Sequence, residues 1–417
     1  MMDVSIILTE MGRKAKAAAA ELAQADSAAK DEALHAMAEA LRNHKPEILE
    51  ANAMDVKQAE EDKLSRPMIE RLTLDDKKIE GMARGIEEIA ALPDPIGRGV
   101  SSHVSPEGLE ITQVRVPLGV IGVIYESRPN VTADTAALCL KSGNAVILRG
   151  GSEAVNSNRI IAKLLTEAAL SAGLPDNCIQ LLDLTGREFT TALMELEDLD
   201  VLIPRGGRGL KAAVREHSKV PYIMTGDGVC HIYFAPSADP EMSVPIAVNA
   251  KCQRPSVCNA VETLLFHEEC APALLPAVCT ALEAHGVELR GDDKARELFD
   301  MKPATEEDWA TEYLDLIVSI KVVSSLDEAL AHIARYGTQH SESIITNDYA
   351  EAERFLNAVD AAAVYVNAST RFTDGGVFGL GAEVGISTQK LHARGPMGIE
   401  QLTSTKFRIR GNGQVRR

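Results

Sequence analysis

The sequence predicts an α/β protein made of two units in tandem, with a small arm of β-strands outside both. Three observations lead there. The first ninety-odd residues are rich in Ala, Glu and Lys and repeat apolar side chains at helical spacing. From about residue 109, short apolar runs alternate with amphipathic stretches, as in a parallel sheet covered on both faces. Near Cys230 a second such series begins.

Taken in order, Ile79, Met82, Ile86 and Ile89 mark a helix whose expected cap is Thr73, with Asp76 three residues on. Leu92-Pro93-Asp94-Pro95 stops it, and Gly97 to Ser102 reads as a linker. Leu109 to Val116 alternates polar and apolar residues, and Gly119 to Ile124 is a continuous β-branched run. Ala145 to Leu148, Ile179 to Leu182 and Val201 to Ile203 follow, with helical patterns between them. A break is expected at Thr225-Gly226-Asp227-Gly228. Beyond it come a helix from Met242 to Cys252, a strand from Val261 to Phe266, a helix over 271–284, a strand over 316–323, a helix over 326–335, and strands over 343–346 and 363–366. Thr405 to Arg410 alternates like an edge strand; unpaired strands of this kind commonly pair with another subunit. The expected division is 1–100 with 117–225 as a cofactor domain, 226–400 as a catalytic domain, and 101–116 with 401–417 as an oligomerisation arm.

Composition narrows the function. With 417 residues the chain has room for two or three domains. Its 43 Lys and Arg against 61 Asp and Glu leave a net charge of -18, which argues against nucleic acid or an anionic membrane as partner. A few local arginines can still receive an anionic substrate. Aromatics at 4% argue against a base-stacking platform as well. The chain shows no apolar run of about 18 residues and no signal-type start, so a cytoplasmic location is expected. Seven cysteines, odd in number and without a C-x-x-C pair, speak against a disulfide scaffold or zinc ribbon. His267-x-x-Cys270 has no second pair, and no metal is expected.

The most informative stretch is Asn249 to Ala260. Pro255 breaks the helical pattern, so Cys258 should sit on a turn before the strand that starts at Val261. A thiol there is held by backbone and lies near N–H groups able to stabilise an oxyanion. Arg254 can lower its pKa or hold an anion. The alternative is that Cys258 is a small buried hydrophobe, as Cys252 is more readily taken to be. Arg149 ends a strand as either a phosphate-binding fork or a solvated cation. Pro204-Arg205-Gly206-Gly207-Arg208-Gly209 follows a strand and opens a helix, which suits a pyrophosphate or a plain tight turn.

Val116 to Val131, Gly143 to Gly151 and Lys251 to Ala260, with Gly337-Thr338-Gln339-His340-Ser341 and His392 to Gly398, resemble the gamma-glutamyl phosphate reductases, or glutamate-5-semialdehyde dehydrogenases, of the aldehyde dehydrogenase superfamily. The resemblance implies an aldehyde dehydrogenase-like fold of two Rossmann-like domains and an NADPH-dependent reduction of L-glutamyl 5-phosphate to L-glutamate 5-semialdehyde, with release of phosphate, in proline biosynthesis. It implies Cys258 as the nucleophile that carries a thioester, and Arg149, Gly150, Ser152, Gly206 and Gly207 as NADPH contacts. Glu312 resembles the glutamate that holds the nicotinamide ribose; a solvated carboxylate is the alternative. Arg128, Asn130, Arg254, His392 and Arg394 are the candidates for oxyanion and substrate contacts. Asn130 departs from the register of the superfamily's oxyanion asparagine. Met224 stands where hydrolytic members carry a water-activating glutamate, which favours reduction over hydrolysis; Asp227 nearby reads as a turn residue. A homo-oligomer is implied, as is a separate glutamate kinase, in transient contact, to supply the labile substrate. The rival readings are an aldehyde dehydrogenase yielding free acid or acyl-CoA, and a non-catalytic binding module.

Overall fold

The structure, a computed structural model, describes residues 4–416, which divide into two compact units. The first holds the described residues up to Met224, together with Gly379–Gly385 and the chain from Met397 onward. It opens with five helices, Val4–Leu22, Ser27–Asn43, Lys45–Glu61, Arg66–Leu72 and Asp76–Ala90. Ile79, Met82, Ile86 and Ile89 are buried, as their spacing requires. The cap differs from the expected Thr73. Asp75 accepts from Lys78 N at 2.7 Å, while the Thr73 hydroxyl donates back to Ile69 O at 2.8 Å and closes the preceding helix.

The sheet of this unit is parallel, in the order Ile179–Leu181, Ala145–Gly150, Val120–Tyr125, Val201–Arg205. Val120–Tyr125 and Ala145–Gly150 are buried at every position, which is why they read as unbroken apolar runs. Chain order reverses between Val120–Tyr125 and Val201–Arg205. Ligands of open α/β sheets bind beyond the carboxyl ends of the strands at such a reversal.

Gly99–Val104, Glu110–Pro117 and Thr403–Arg410 form a separate antiparallel sheet with Glu110–Pro117 in the middle. The expected linker over 97–102 is therefore largely strand. Glu110–Pro117 offers it a hydrogen-bonding edge, and a register shift between Gly99 and Ser101 fits the entry. The outer strands are exposed along nearly their whole length.

The second unit holds Thr225–Phe378 and Ile386–Pro396. Its seven parallel strands lie in the order Lys302–Pro303, Glu288–Gly291, Ile317–Val323, Val261–His267, Cys230–Phe234, Ser341–Ile345, Ala363–Val366. Alternate side chains feed two cores. Ile232, Phe234, Leu264 and Phe266 pack with helices Pro240–Cys252 and Ala271–Glu283, and the rings of Phe234 and Phe266 stack at 4.5 Å. Tyr233, Leu265 and Ile344 pack with Leu326–Tyr336 and Tyr349–Ala358 on the other face. Residues 379–385 and 397–400, expected with this unit, belong to the first, where Gly381 lies against Leu92. Among the described residues no helix is long and apolar enough to cross a membrane.

Candidate active site

Because the seven strands of the second unit run one way, their starts at Cys230, Val261, Ser341 and Ala363 lie along one edge. Cys258 stands three residues before Val261, on the turn that follows Pro240–Cys252. It is half-buried, whereas Cys139, Cys178, Cys230, Cys270 and Cys279 are buried. Burial pushes the Cys178 and Cys279 thiols up to about 12 and that of Cys270 to about 11, which keeps them protonated and inert. Cys270 also donates to His267 O at 3.3 Å, so the His267-x-x-Cys270 pair is a local hydrogen-bonded corner.

The turn is locked from below. A Cβ on Gly228 would stand 1.4 Å from the Cys258 carbonyl oxygen, so only glycine allows this approach. Gly228 N donates to Glu312 Oε1 at 2.8 Å, Val229 N donates to Thr338 Oγ1 at 3.0 Å, and the Cys230 thiol donates to Cys258 O at 3.2 Å. Deeper still, Lys251 Nζ meets Glu262 Oε2 at 2.6 Å with both side chains fully buried. Burial drives the Glu262 carboxyl up to about 8 against the pull of Lys251.

Across the turn, buried Asn259 donates Nδ2 to Thr373 O at 2.8 Å and to Arg371 O at 3.3 Å, and its carbonyl accepts from Thr370 Oγ1 at 2.7 Å. The half-buried Arg371 guanidinium donates Nε to Gln253 Oε1 at 3.0 Å and Nη1 to Asn259 Oδ1. Arg254 is exposed on the same turn. His392 is exposed on the excursion between Ile386–Ser387 and Gly395–Pro396, where Arg394 Nη1 donates to Asp360 Oδ1 at 2.7 Å. Arg394 Nε and Nη2 are buried without a hydrogen-bond partner among the described residues.

In the first unit, Arg149, Gly150 and Ser152 lie at the carboxyl end of Ala145–Gly150, one strand from the reversal in strand order. Arg149 is buried, donates Nη1 to Gly150 O, and leaves Nε with no partner among the described residues. An orphaned cationic donor at a strand end is what a phosphate of a dinucleotide would satisfy. A Cβ on Gly150 would come within 2.1 Å of Asn158 Nδ2, so the corner is glycine by necessity. Ser127 closes it, donating N and Oγ to Glu153 Oε1 at 2.6 and 2.7 Å. Gly206 and Gly207 open the helix Arg208–His217, as expected. The Gly207 N–H, expected to face a pyrophosphate, donates here to Glu126 Oε2 at 2.8 Å. The helix terminus thus holds an anion, one of the chain's own.

Comparison with known proteins decides the family. The aldehyde dehydrogenase family matches residues 8–318. Gamma-glutamyl phosphate reductases from Syntrophomonas wolfei and Caldanaerobacter subterraneus are 55% and 56% identical, over 98% and 97% of this chain and 98% of each relative. The crystal structure of gamma-glutamyl phosphate reductase from Thermotoga maritima aligns over 98% of this chain and 100% of that one, with TM-score 0.96 at 49% identity. The chain belongs to the gamma-glutamyl phosphate reductases of the aldehyde dehydrogenase family.

Within this reductase, the expected site residues fall into two sets, one in each unit. Cys258, Arg254, Glu312, His392 and Arg394 belong to the second unit; Arg128, Asn130, Arg149, Gly150, Ser152, Gly206 and Gly207 to the first. Two expectations meet committed groups. Asn130 turns its amide along its own helix to Asp134 Oδ2 at 2.9 Å, and Glu312 is engaged by Gly228 N. Sequence reasoning missed Arg371, Asn259, Gly228, Arg205 and the Lys251–Glu262 pair. Arg205 ends Val201–Arg205 with a buried Nε that has no partner among the described residues, the same signature as Arg149. The signal for Asn259 was available, since an asparagine between a cysteine and an apolar strand must satisfy its amide somewhere.

Proposed function

We propose that the protein reduces L-glutamyl 5-phosphate to L-glutamate 5-semialdehyde in proline biosynthesis, with NADPH as reductant and a thioester on Cys258. Membership of the reductase family over the full length of the chain carries this reading. The Cys258 thiolate attacks the acyl carbon; the C–O bond to phosphate breaks and phosphate leaves with the bonding pair, giving the thioester. The rigid turn over Gly228 supports this role, because a nucleophile fixed by backbone contacts reacts from one geometry. Arg149, Gly150, Ser152, Arg205 and the Gly206-Gly207 turn are the groups that would hold the dinucleotide. Bound there, the nicotinamide supplies the hydride that converts thioester to semialdehyde. Met224 stands in the sequence where hydrolytic members of the superfamily carry a water-activating glutamate, which favours reduction over hydrolysis. Arg254 and Arg394 would supply positive charge for an anionic substrate and His392 a hydrogen bond, and the exposed arm strands suit pairing with a second copy of the chain.

The test runs the reaction backwards. Supplied with the semialdehyde in its cyclised form, the protein should reduce NADP only when phosphate is present, and Cys258→Ala should be inactive. Turnover without phosphate, or full activity in Cys258→Ala, would overturn the reading.

A further inference from the structure

Arg371 lies in the short turn Thr370–Phe372, far from the cysteine in sequence and stitched to it in space. Its side chain is held from both sides of Cys258, by Gln253 before it and Asn259 after it, and Asn259 returns a bond to the Arg371 carbonyl. The fork is therefore fixed along one edge. Its remaining amino group, Nη2, makes no hydrogen bond among the described residues. Burial and the proximity of Arg254 push the guanidinium pKa down, opposed by Asp374 and by the Cys258 thiol when ionised. Two cations beside one another repel until an anion arrives, so the arrangement is one that an anionic ligand relaxes.

We propose that Arg371, together with Arg254, receives the phosphoryl oxygens of the substrate and is a catalytic residue of the phosphate-releasing step. The inference rests on the activity proposed above. The leaving phosphate is bonded to the very carbon that Cys258 attacks, whereas the α-carboxylate lies four carbon atoms along the chain. A cation tethered to the residue after the nucleophile is thus matched to the leaving group. As the Sγ–C bond forms and the C–O bond breaks, the bonding electrons pass to a phosphate oxygen. The guanidinium meets that charge as it grows, and in reverse it holds inorganic phosphate for attack on the thioester.

The experiment measures the phosphate-dependent oxidation of the semialdehyde, with phosphate or arsenate varied, in the wild-type chain, Arg371→Gln and Arg371→Lys. Arg371→Gln should raise the KM for phosphate and for arsenate at least tenfold, with the KM values for semialdehyde and NADP within twofold of wild type. Arg371→Lys, which keeps the charge and loses the fork, should recover part of it. Alkylation of Cys258 by neutral iodoacetamide reports an intact turn: it should proceed in both variants, and phosphate should protect the wild-type thiol better than either. If Arg371→Gln does not fold, Arg371→Lys carries the comparison alone. An unchanged phosphate KM in a folded variant sinks the inference, as does an equal rise in the semialdehyde KM, which would assign Arg371 to the α-carboxylate. A wild-type chain that turns over without phosphate sinks the activity reading and this one with it.

Discussion

At Gly228 a single hydrogen atom decides whether the Cys258 turn exists. A methyl group there would overlap the Cys258 carbonyl, and that carbonyl is also the acceptor for Cys230. Gly228→Ala must therefore displace the turn by an ångström or more, and a misplacement of that size costs about a hundredfold in rate. The expected result is a kcat lowered by about that factor in a protein that still melts cooperatively; wild-type kcat in a folded Gly228→Ala would refute it. A second residue governs acid stability. His332 is buried beside Trp309 and His231, at ring separations of 5.4 and 5.5 Å. Burial, then the neighbouring His231, Lys321 and Arg335, push its imidazole down to about 3. Below about pH 6.5 the unfolded chain takes up a proton here that the folded chain refuses. Stability from this residue is thus complete above pH 6.5 and is lost as pH falls towards 3, by at most about 1.4 kcal/mol per pH unit. His332→Phe should flatten that acid limb in denaturant titrations from pH 7 to 4.5; an unchanged slope would exclude the residue as its source. The place of Cys258 on a turn was legible in the sequence because Pro255 announces that turn. Arg371 was not, because its bond to Asn259 joins residues 112 apart and no local pattern encodes such a contact.

Among elements, the helix Pro240–Cys252 and the strand Val261–His267 flank the Cys258 turn and are tied by Lys251 and Glu262. Removing one member leaves the other buried without its partner, so Lys251→Met or Glu262→Leu alone should cost about 3–5 kcal/mol. The double replacement should recover most of that loss. A double-mutant cycle by urea denaturation measures it, and additive losses would show that the pair is not coupled. The alternating strands and helices were legible because their apolar residues repeat at the period of the element that buries them. Glu288–Gly291 and Lys302–Pro303 were not, being short strands whose conformation comes from the sheet beside them. The linker read into Gly97 to Ser102 failed for the same reason, since an isolated strand acquires its conformation from its partner.

On the scale of the whole molecule, the arm exposes Val100, Val104, Phe407 and Ile409 on its outer strands. Large apolar side chains on exposed edge strands support the proposal that the arm pairs with a second copy of the chain. Phe407→Glu combined with Ile409→Glu should lower the assembly state seen by light scattering while leaving the melting of the subunit core in place; an unchanged mass would remove the arm from the interface. The net charge of -18 also takes a clearer form, since Arg149, Arg254 and Arg371 stand at the candidate phosphate-binding positions of a chain that is otherwise acidic.

The strand Thr403–Arg410 completes a sheet begun by Glu110–Pro117, and Gln113 bonds Thr405 across 292 residues of sequence. During synthesis the first unit therefore waits, one sheet edge open, while the whole second unit is made. At 5–20 residues per second the delay is about 15–60 s. That edge is the part of the nascent chain most in need of shielding, by a chaperone or by rapid folding of the second unit. Slowing translation between residues 230 and 400 should raise the aggregated fraction, and removing the final strand should reproduce that effect at normal speed.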